Sequence, residues 1–136
     1  MTPAAIDAYC RSLPAATLVV QWEGVSVFKV GGRMFAMMPP ARERRGAREL
    51  WFKCVDAHYE AMSAAPGFRP CPYLARARWV AVAAPARLPA AQTKAYLARA
   101  HATIVARLPR KTQIALGFTP PPRPPARRRR VVEDDR

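Results

Sequence analysis

Residues 25–38, VSVFKVGGRMFAMM, decide the fold. The Gly31-Gly32 pair separates two β-rich runs, and two glycines between such runs are a strong signal of a tight β-hairpin. One more run precedes this hairpin and another follows it, so β-rich stretches occupy residues 18–22, 25–30, 33–38 and 49–54. Strands that follow one another this closely usually pair with their chain neighbours, which predicts an antiparallel meander.

Helical patterns bracket these strands. Pro3 suits the first turn of a helix over residues 3–13, and Pro14 ends it. The later predicted elements are a short helix from residue 56 to before Pro66, a strand over 79–83 and a helix over 89–108. An apolar stripe marks the buried side of the last helix: Leu97, Ala100, His101, Ile104 and Leu108. The order α-β-β-β-β-α-β-α predicts an α+β domain with helices packed on an antiparallel sheet of about five strands.

The composition points to one basic domain. The 136 residues carry 23 Lys and Arg against 9 Asp and Glu, a net charge of +14 that favours an anionic partner, and 51% hydrophobic residues suffice for a core. Residues 119–136, TPPPRPPARRRRVVEDDR, are predicted to form a disordered Pro/Arg-rich tail. Residues 1–118 keep 17 basic and 6 acidic residues, hence +11, so the predicted domain is basic without this tail. Biased arginine usage is the competing explanation of this charge.

The chain is predicted to work in the cytosol without a cofactor. Its three cysteines are Cys10, Cys54 and Cys71, an odd number without CxxC spacing, which argues against a disulfide framework and a zinc site. Cys10 and Cys54 are expected in the core, whereas Cys71 lies between two prolines in a loop, a position compatible with exposure, and is predicted to be inert. Charged residues near the start argue against a signal peptide, and the longest uncharged run, residues 12–22, is too short to span a membrane.

Four segments, in this order, resemble the MmcQ/YjbR family of small bacterial proteins. They are AYCRSLPAA (8–16), VFKVGGRMFAMM (27–38), LWFKC with VDAHYEAM (50–62), and PGFRPCPYLARARWVAV (66–82) before a helix ending in VARLPRK (105–111). The resemblance covers roughly residues 1–115. It implies a YjbR-like or CyaY-like fold, which is also similar to type III secretion chaperones. Family members are generally described as DNA-binding proteins with a double-wing contact surface.

The resemblance also suggests individual contacts: Lys53, Tyr73, Arg76 and Trp79. Many relatives carry His and Asn between the aromatic and the basic residue of this loop, where the chain has Leu74 and Ala75. This departure weakens the case for reading bases through hydrogen bonds.

Basic side chains form the predicted interface. The candidate nucleic-acid contacts are Arg42, Arg44, Arg45, Arg48, Lys53, Arg69, Arg76 and Arg78, and the candidate stacking residues are Trp51, Tyr73 and Trp79. Strand alternation places Trp51 and Lys53 on one face, which is predicted to look outward. Partial burial is the competing interpretation of Trp51, and a solvated loop that of residues 42–48. Trp22 and Trp79 are expected in the core or at its edge.

Two functions remain open. No phosphate-cradling or nucleophile motif and no metal-binding His pair occurs, so a non-enzymatic protein is predicted. The first hypothesis is contact with the phosphate backbone of double-stranded DNA, with little base specificity. The alternative is a chaperone-like module, a monomer or homodimer, that binds an acidic protein partner. One exposed patch of Trp51, Tyr73 and Trp79 would favour the protein partner, whereas buried aromatics and an arginine-rich open face would favour nucleic acid.

Overall fold

An antiparallel sheet forms the centre of the structure, a computed structural model that describes residues 1–41 and 48–122. Within these ranges the strands are β1 (Ala16–Gln21), β2 (Val25–Val30), β3 (Arg33–Met38), β4 (Leu50–Lys53), β5 (Phe68–Pro70) and β6 (Trp79–Val82). The sheet order is β1-β2-β3-β4-β6-β5, and every neighbouring pair is antiparallel. The helices are α1 (Pro3–Ser12), α2 (Tyr59–Ser63), α3 (Ala90–Arg107) and α4 (Arg110–Ala115), with 3₁₀ turns at Asp56–His58 and Pro85–Arg87. The predicted α+β class and hairpin are confirmed.

Gly31 and Gly32 make the β2–β3 turn with φ values of +59° and +79°, the left-handed region that glycine enters without steric cost. A Cβ atom on Gly31 would lie 2.6 Å from Leu108 Cδ1, so the side chain of Leu108, which follows α3, packs directly against this turn. The turn therefore closes the hairpin and lets α3 pack against it.

Helices α1 and α3 cover one face of the sheet. The buried cluster beneath them includes Ile6, Cys10, Phe28, Phe35, Leu50, Phe52, Val80, Val82, Leu97 and Ile104. All five residues of the predicted α3 stripe are buried, as expected. His101 lies 2.8 Å from the carbonyl of Pro14 and edge-on to Phe35, and desolvation by burial lowers the pKa of its imidazole. His101 is therefore part of the packed core, where it contacts Pro14 and Phe35.

A bulge in β3 sorts its side chains between the two faces of the sheet. The β2–β3 register shifts so that Lys29 faces Met34 while Phe28 faces Ala36. Phe35 and Ala36 consequently both pack into the core under the helices, and Met34 and Met37, three residues apart, belong to the opposite face. Strict alternation could not have predicted this arrangement.

The structure departs from the predicted elements at β5 and α4. Residues 68–70, predicted as loop, form a sixth strand because β6 offers a free edge on which Phe68 pairs with Val82. This strand is only three residues long and ends in a proline, so it leaves no periodic signal in the sequence. Helix α4 lies in a segment that carried no helix prediction. Residues 119–122 form no helix or strand, and the rest of the predicted tail lies outside the described residues.

All three cysteines are buried, including Cys71, whose loop position was also compatible with exposure. The chain folds back on itself after β5, where the Cys71 amide donates to the carbonyl of Trp79 at 3.0 Å. Burial raises the pKa values of Cys10 and Cys71 to about 12, which keeps both as thiols at neutral pH.

Candidate functional site

The face of the sheet opposite the helices carries a second, smaller apolar cluster. Its buried members are Val27, Met37, Cys71, Trp79 and Ala81, and Val25, Met34, Trp51 and Leu74 pack against them. Residues 71–78 fold over part of this face through successive turns, among them the bond from the Leu74 amide to the Cys71 carbonyl. The remainder of the face is left open.

An apolar groove of about 270 Å³ lies on that open part. We call it the aromatic groove; it is lined by Trp22, Val25, Met34, Met37, Pro39, Trp51, Pro72, Tyr73 and Leu74. The strands contribute Val25, Met34, Met37 and Trp51, and the remaining residues come from the β1–β2 turn, the end of β3 and the 71–78 loop. Three aromatic rings thus converge on one apolar depression.

Trp22 and Tyr73 are the most exposed aromatic residues of the groove, at 64% and 99% relative exposure. Both have left-handed backbones, with φ values of +44° and +65°. Non-glycine residues in this region cost about 1–3 kcal/mol each, and such strain concentrates at binding sites. Ala15, Glu23 and Arg78 share this backbone region, but only Trp22 and Tyr73 combine it with a large aromatic side chain that stands in water.

Arg48 braces the turn that carries Trp22. Its guanidinium donates to the carbonyls of Gly24, Met38 and Pro39 at 3.3, 2.5 and 3.1 Å and to Ser26 Oγ at 3.3 Å. The side chain predicted as a phosphate contact therefore ties the β1–β2 turn to the end of β3. Its hydrogen-bonding capacity is largely used within the protein.

Lys53 does not look outward: its side chain is 2% exposed, and that part of the prediction is wrong. Its Nζ donates to Asp56 Oδ1 at 2.9 Å and to the carbonyl of Ala77 at 2.6 Å, because the 71–78 loop folds over the end of β4. A lysine buried in this way positions the loop and is not available to a phosphate at the surface.

Asp56 gathers two further cations around the same carboxylate. Arg107 donates to Oδ2 at 3.0 Å, and Arg78 lies 3.9 Å from Oδ1 while its guanidinium stacks 5.8 Å from the ring of Tyr59. The hydrogen bond from Lys53 lowers the pKa of Asp56, and the three positive charges add to the effect. We call Lys53, Asp56, Arg78 and Arg107 the Asp56 cluster.

Arg69 is paired as well. It forms a bidentate ion pair with Glu49 at 2.9 and 2.8 Å, and the Trp51 indole donates to the same carboxylate at 2.9 Å. Trp51 is half-buried, in agreement with the competing interpretation, while its ring still lines the aromatic groove. The pair fixes one side of the groove.

Arg76 differs from the other predicted contacts. It is exposed three residues after Tyr73 and forms no ion pair or hydrogen bond with any residue that the structure describes. Lys29 is half-buried and pairs across β2 and β3 with Met34, a residue that lines the groove. Arg76 lies in the loop that contributes Pro72, Tyr73 and Leu74 to the same lining. Arg42, Arg44 and Arg45 lie outside the described residues.

The tryptophans show where the sequence interpretation was wrong. Trp79 is 4% exposed, which confirms its place in the core and removes it from the stacking candidates. Trp22 was expected in the core or at its edge but stands in water at the groove. Its position was the available signal, because a tryptophan followed by Glu23-Gly24 between two strands belongs to a tight turn and not to a strand interior.

Titratable groups do not cluster for metal binding in residues 1–41 and 48–122, where no group of three His, Cys, Asp or Glu is placed to hold an ion. In those same ranges, no helix has the length and apolar character needed to cross a membrane.

Comparison with known proteins supports the fold. A family model described as YjbR matches residues 11–103, which confirms the resemblance. The crystal structure of Deinococcus radiodurans protein DR2400, a DUF419-domain protein, is similar with a TM-score of 0.73 and 21% identity over 87% of this chain and 89% of that chain. A Pseudomonas syringae protein, structural genomics target PsR293, has a TM-score of 0.63 and 13% identity over 76% and 98%. No curated protein matches the chain.

Proposed function

The chain belongs to the YjbR family, and from this premise we propose that it is a non-enzymatic nucleic-acid-binding protein of the cytosol. It neutralises phosphates with basic side chains and has little base specificity. The observation that carries the proposal is the exposed guanidinium of Arg76, which has no partner among the described residues and lies in the loop that supplies Tyr73 to the aromatic groove, in a chain with a net charge of +14. Counterion release then supplies most of the binding free energy.

The Asp56 cluster supports the proposal as a secondary contact. Three cations share one carboxylate there, and the guanidinium groups of Arg78 and Arg107 are about half exposed. The cluster therefore keeps a positive excess that a phosphate at the surface would meet. Lys53 is the buried member of the cluster, so it stabilises the cluster and makes no contact with the ligand.

The position of the aromatic residues bears on the choice between the two functions. Trp51 and Tyr73 share one open groove but Trp79 is buried, so the patch that would favour a protein partner is only partly present. Among residues 1–41 and 48–122, arginines do not dominate the open face either. A protein-interaction role through the apolar lining is thus the competing outcome of the experiment below.

The test is fluorescence anisotropy of a labelled random-sequence oligonucleotide of about 20 nucleotides, single-stranded or duplex, titrated with the full chain at several salt concentrations. Log affinity is expected to fall linearly with log salt, with a slope of about −0.9 per neutralised phosphate on duplex and about −0.7 on single strands. A full-length variant with Gln at positions 127–130 measures the share of the tail. Salt-independent binding, or none at physiological salt, would contradict the proposal.

Substitution of Arg76 by Gln tests the site itself. Affinity should drop by a similar factor on unrelated sequences, and the salt slope should become shallower by about one phosphate. Arg87→Gln is the matched control, because Arg87 is also exposed but lies in the turn before α3. Equal losses in the two variants would indicate a diffuse charge effect and not a contact at Arg76.

A further inference from the structure

We propose that the aromatic groove is a platform on which unpaired bases stack, so that the ligand of this chain is single-stranded nucleic acid. The inference rests on the proposed function and narrows its ligand class. It departs from the expectation of double-stranded DNA drawn from the sequence. Trp22 and Tyr73 carry it, and Trp51 lines the same groove.

The lining of the groove suits flat apolar faces. It consists of aromatic, aliphatic, methionine and proline side chains, so most of the contact that it offers is apolar. A base laid against Trp22 or Tyr73 buries its π-face and keeps its hydrogen-bonding edge in water, since the groove is open to solvent. Stacking of this kind tolerates every base, which agrees with the loss of hydrogen-bonding side chains at Leu74 and Ala75.

A duplex does not present the surface that this groove recognises. In a double helix the faces of the bases are stacked on one another, and only their edges reach the grooves. Using the aromatic groove would require unstacking of the duplex, whereas a single strand offers its bases freely. The exposed aromatic rings therefore favour single-stranded over double-stranded nucleic acid, a preference that positive charge alone would not produce.

The charges beside the groove fit the same ligand. Arg76 is exposed in the loop that supplies Tyr73 to the lining, Lys29 pairs across the strands with the lining residue Met34, and each nucleotide carries one negative charge next to one planar apolar ring. An acidic peptide separates these features, because its charged residues are not aromatic. Because every nucleotide carries both a negative charge and an aromatic ring, nucleic acid matches the cations and the groove better than an acidic peptide does.

The turn that holds Trp22 is organised before binding. The Arg48 guanidinium donates to the Gly24 carbonyl and to Ser26 Oγ, so the backbone of the turn that carries Trp22 does not depend on the ligand for its position. Strain at Trp22 and Tyr73 is already present in the free protein. Pre-organisation of this kind reduces the entropy lost on association.

The experiment compares the full chain on labelled oligo-dT and on a duplex of the same length, at one salt concentration, by anisotropy and tryptophan fluorescence. We expect tighter binding of the single strand and quenching of the indole emission, which Trp22→Phe should reduce without loss of affinity. Trp22→Ala and Tyr73→Ala should each weaken single-strand binding roughly five- to 150-fold, the range measured for loss of one stacked base. Both side chains are exposed, so these variants should fold.

Ile114→Ala is the matched control, since Ile114 is a 58%-exposed apolar residue of α4 outside the groove. Unchanged single-strand affinity in Trp22→Ala and Tyr73→Ala, or tighter binding of duplex by the wild type, would overturn the inference while leaving the proposed function standing. Failure of both nucleic acids to bind at physiological salt would overturn both, and the acidic protein partner would then be the ligand to pursue.

Discussion

The aromatic groove and the Asp56 cluster use their residues in opposite ways. In the Asp56 cluster, Lys53, Arg78 and Arg107 direct their charges at a carboxylate of the same chain. In the groove, Trp22 and Tyr73 expose apolar rings that the protein itself does not cover. The comparison teaches that residue type alone does not tell whether a side chain is free to bind a ligand. Lys53 and Arg48, predicted as ligand contacts, bond within the protein, whereas Trp22, predicted in the core or at its edge, is exposed.

Lys53→Ala should have the largest effect, and it should act on stability. The substitution removes a buried aliphatic stem and leaves the carbonyl of Ala77 without its donor, so the free energy of unfolding should fall by about 2–3 kcal/mol. Urea denaturation followed by circular dichroism measures the change. Lys111→Ala, at an exposed position of α4, is the control and should lie within about 0.5 kcal/mol of wild type. Equal stability of the two variants would contradict a structural role for Lys53.

Asp56 should make the same cluster sensitive to acid. The hydrogen bond from Lys53 lowers the folded-state pKa of Asp56 below the ordinary value of an aspartate, so its contribution to stability is fully present above that ordinary value. The contribution is lost as the pH falls through the lower, folded-state pKa. Thermal unfolding between neutral pH and strongly acidic pH should therefore show a drop in wild type that is smaller in Asp56→Asn. Parallel curves for the two proteins would argue against coupling of Asp56 to its three cations.

Tyr73→Gly should separate stability from binding at the groove. Glycine adopts the left-handed backbone of position 73 without strain, and the tyrosine ring makes no buried contact that would be lost. The free energy of unfolding should rise by about 0.5–1 kcal/mol, after allowance for the greater entropy of glycine in the unfolded chain. Affinity for oligo-dT should decrease in the same variant. A less stable Tyr73→Gly protein would show that the ring supports the fold.

Arg76→Gln should have the smallest effect on stability, within about 0.5 kcal/mol, because the side chain has no partner among the described residues. Arg48→Gln should be less stable than Arg76→Gln. The Arg48 variant loses hydrogen bonds to three carbonyls, so its free energy of unfolding should fall by about 1–2 kcal/mol. Differential scanning fluorimetry measures the change in melting temperature of both variants. A larger decrease in Arg76→Gln than in Arg48→Gln would show that Arg76, and not Arg48, supports the fold.

Much of the fold was predictable because its signals are local. The Gly31-Gly32 turn, the proline boundaries of α1 and the stripe of α3 each depend on residues close together in the chain, and all three were predicted. Strand β5 was not, since three residues ending in a proline form a strand only when β6 lies beside them. The bulge in β3 likewise escapes a strict alternation of faces.

The site was less predictable than the fold. Tyr73, Trp51 and Arg76 were identified as candidates, but nothing in the sequence places them beside Trp22 or Met34, which come from distant parts of the chain. Burial of Lys53 and Cys71 follows from the 71–78 loop, whose path over the sheet is a long-range property.

Composition, turn residues and periodicity were thus sufficient for the class of fold, the basic character of the chain and the helix that covers the sheet. Which cations are neutralised internally and which aromatic rings remain in water depended on contacts between segments far apart in sequence. The physical reason is that burial and pairing are collective: the charge of Arg48, Lys53 or Arg69 is a property of the residue, whereas its availability to a ligand depends on the partners that folding brings within hydrogen-bond distance.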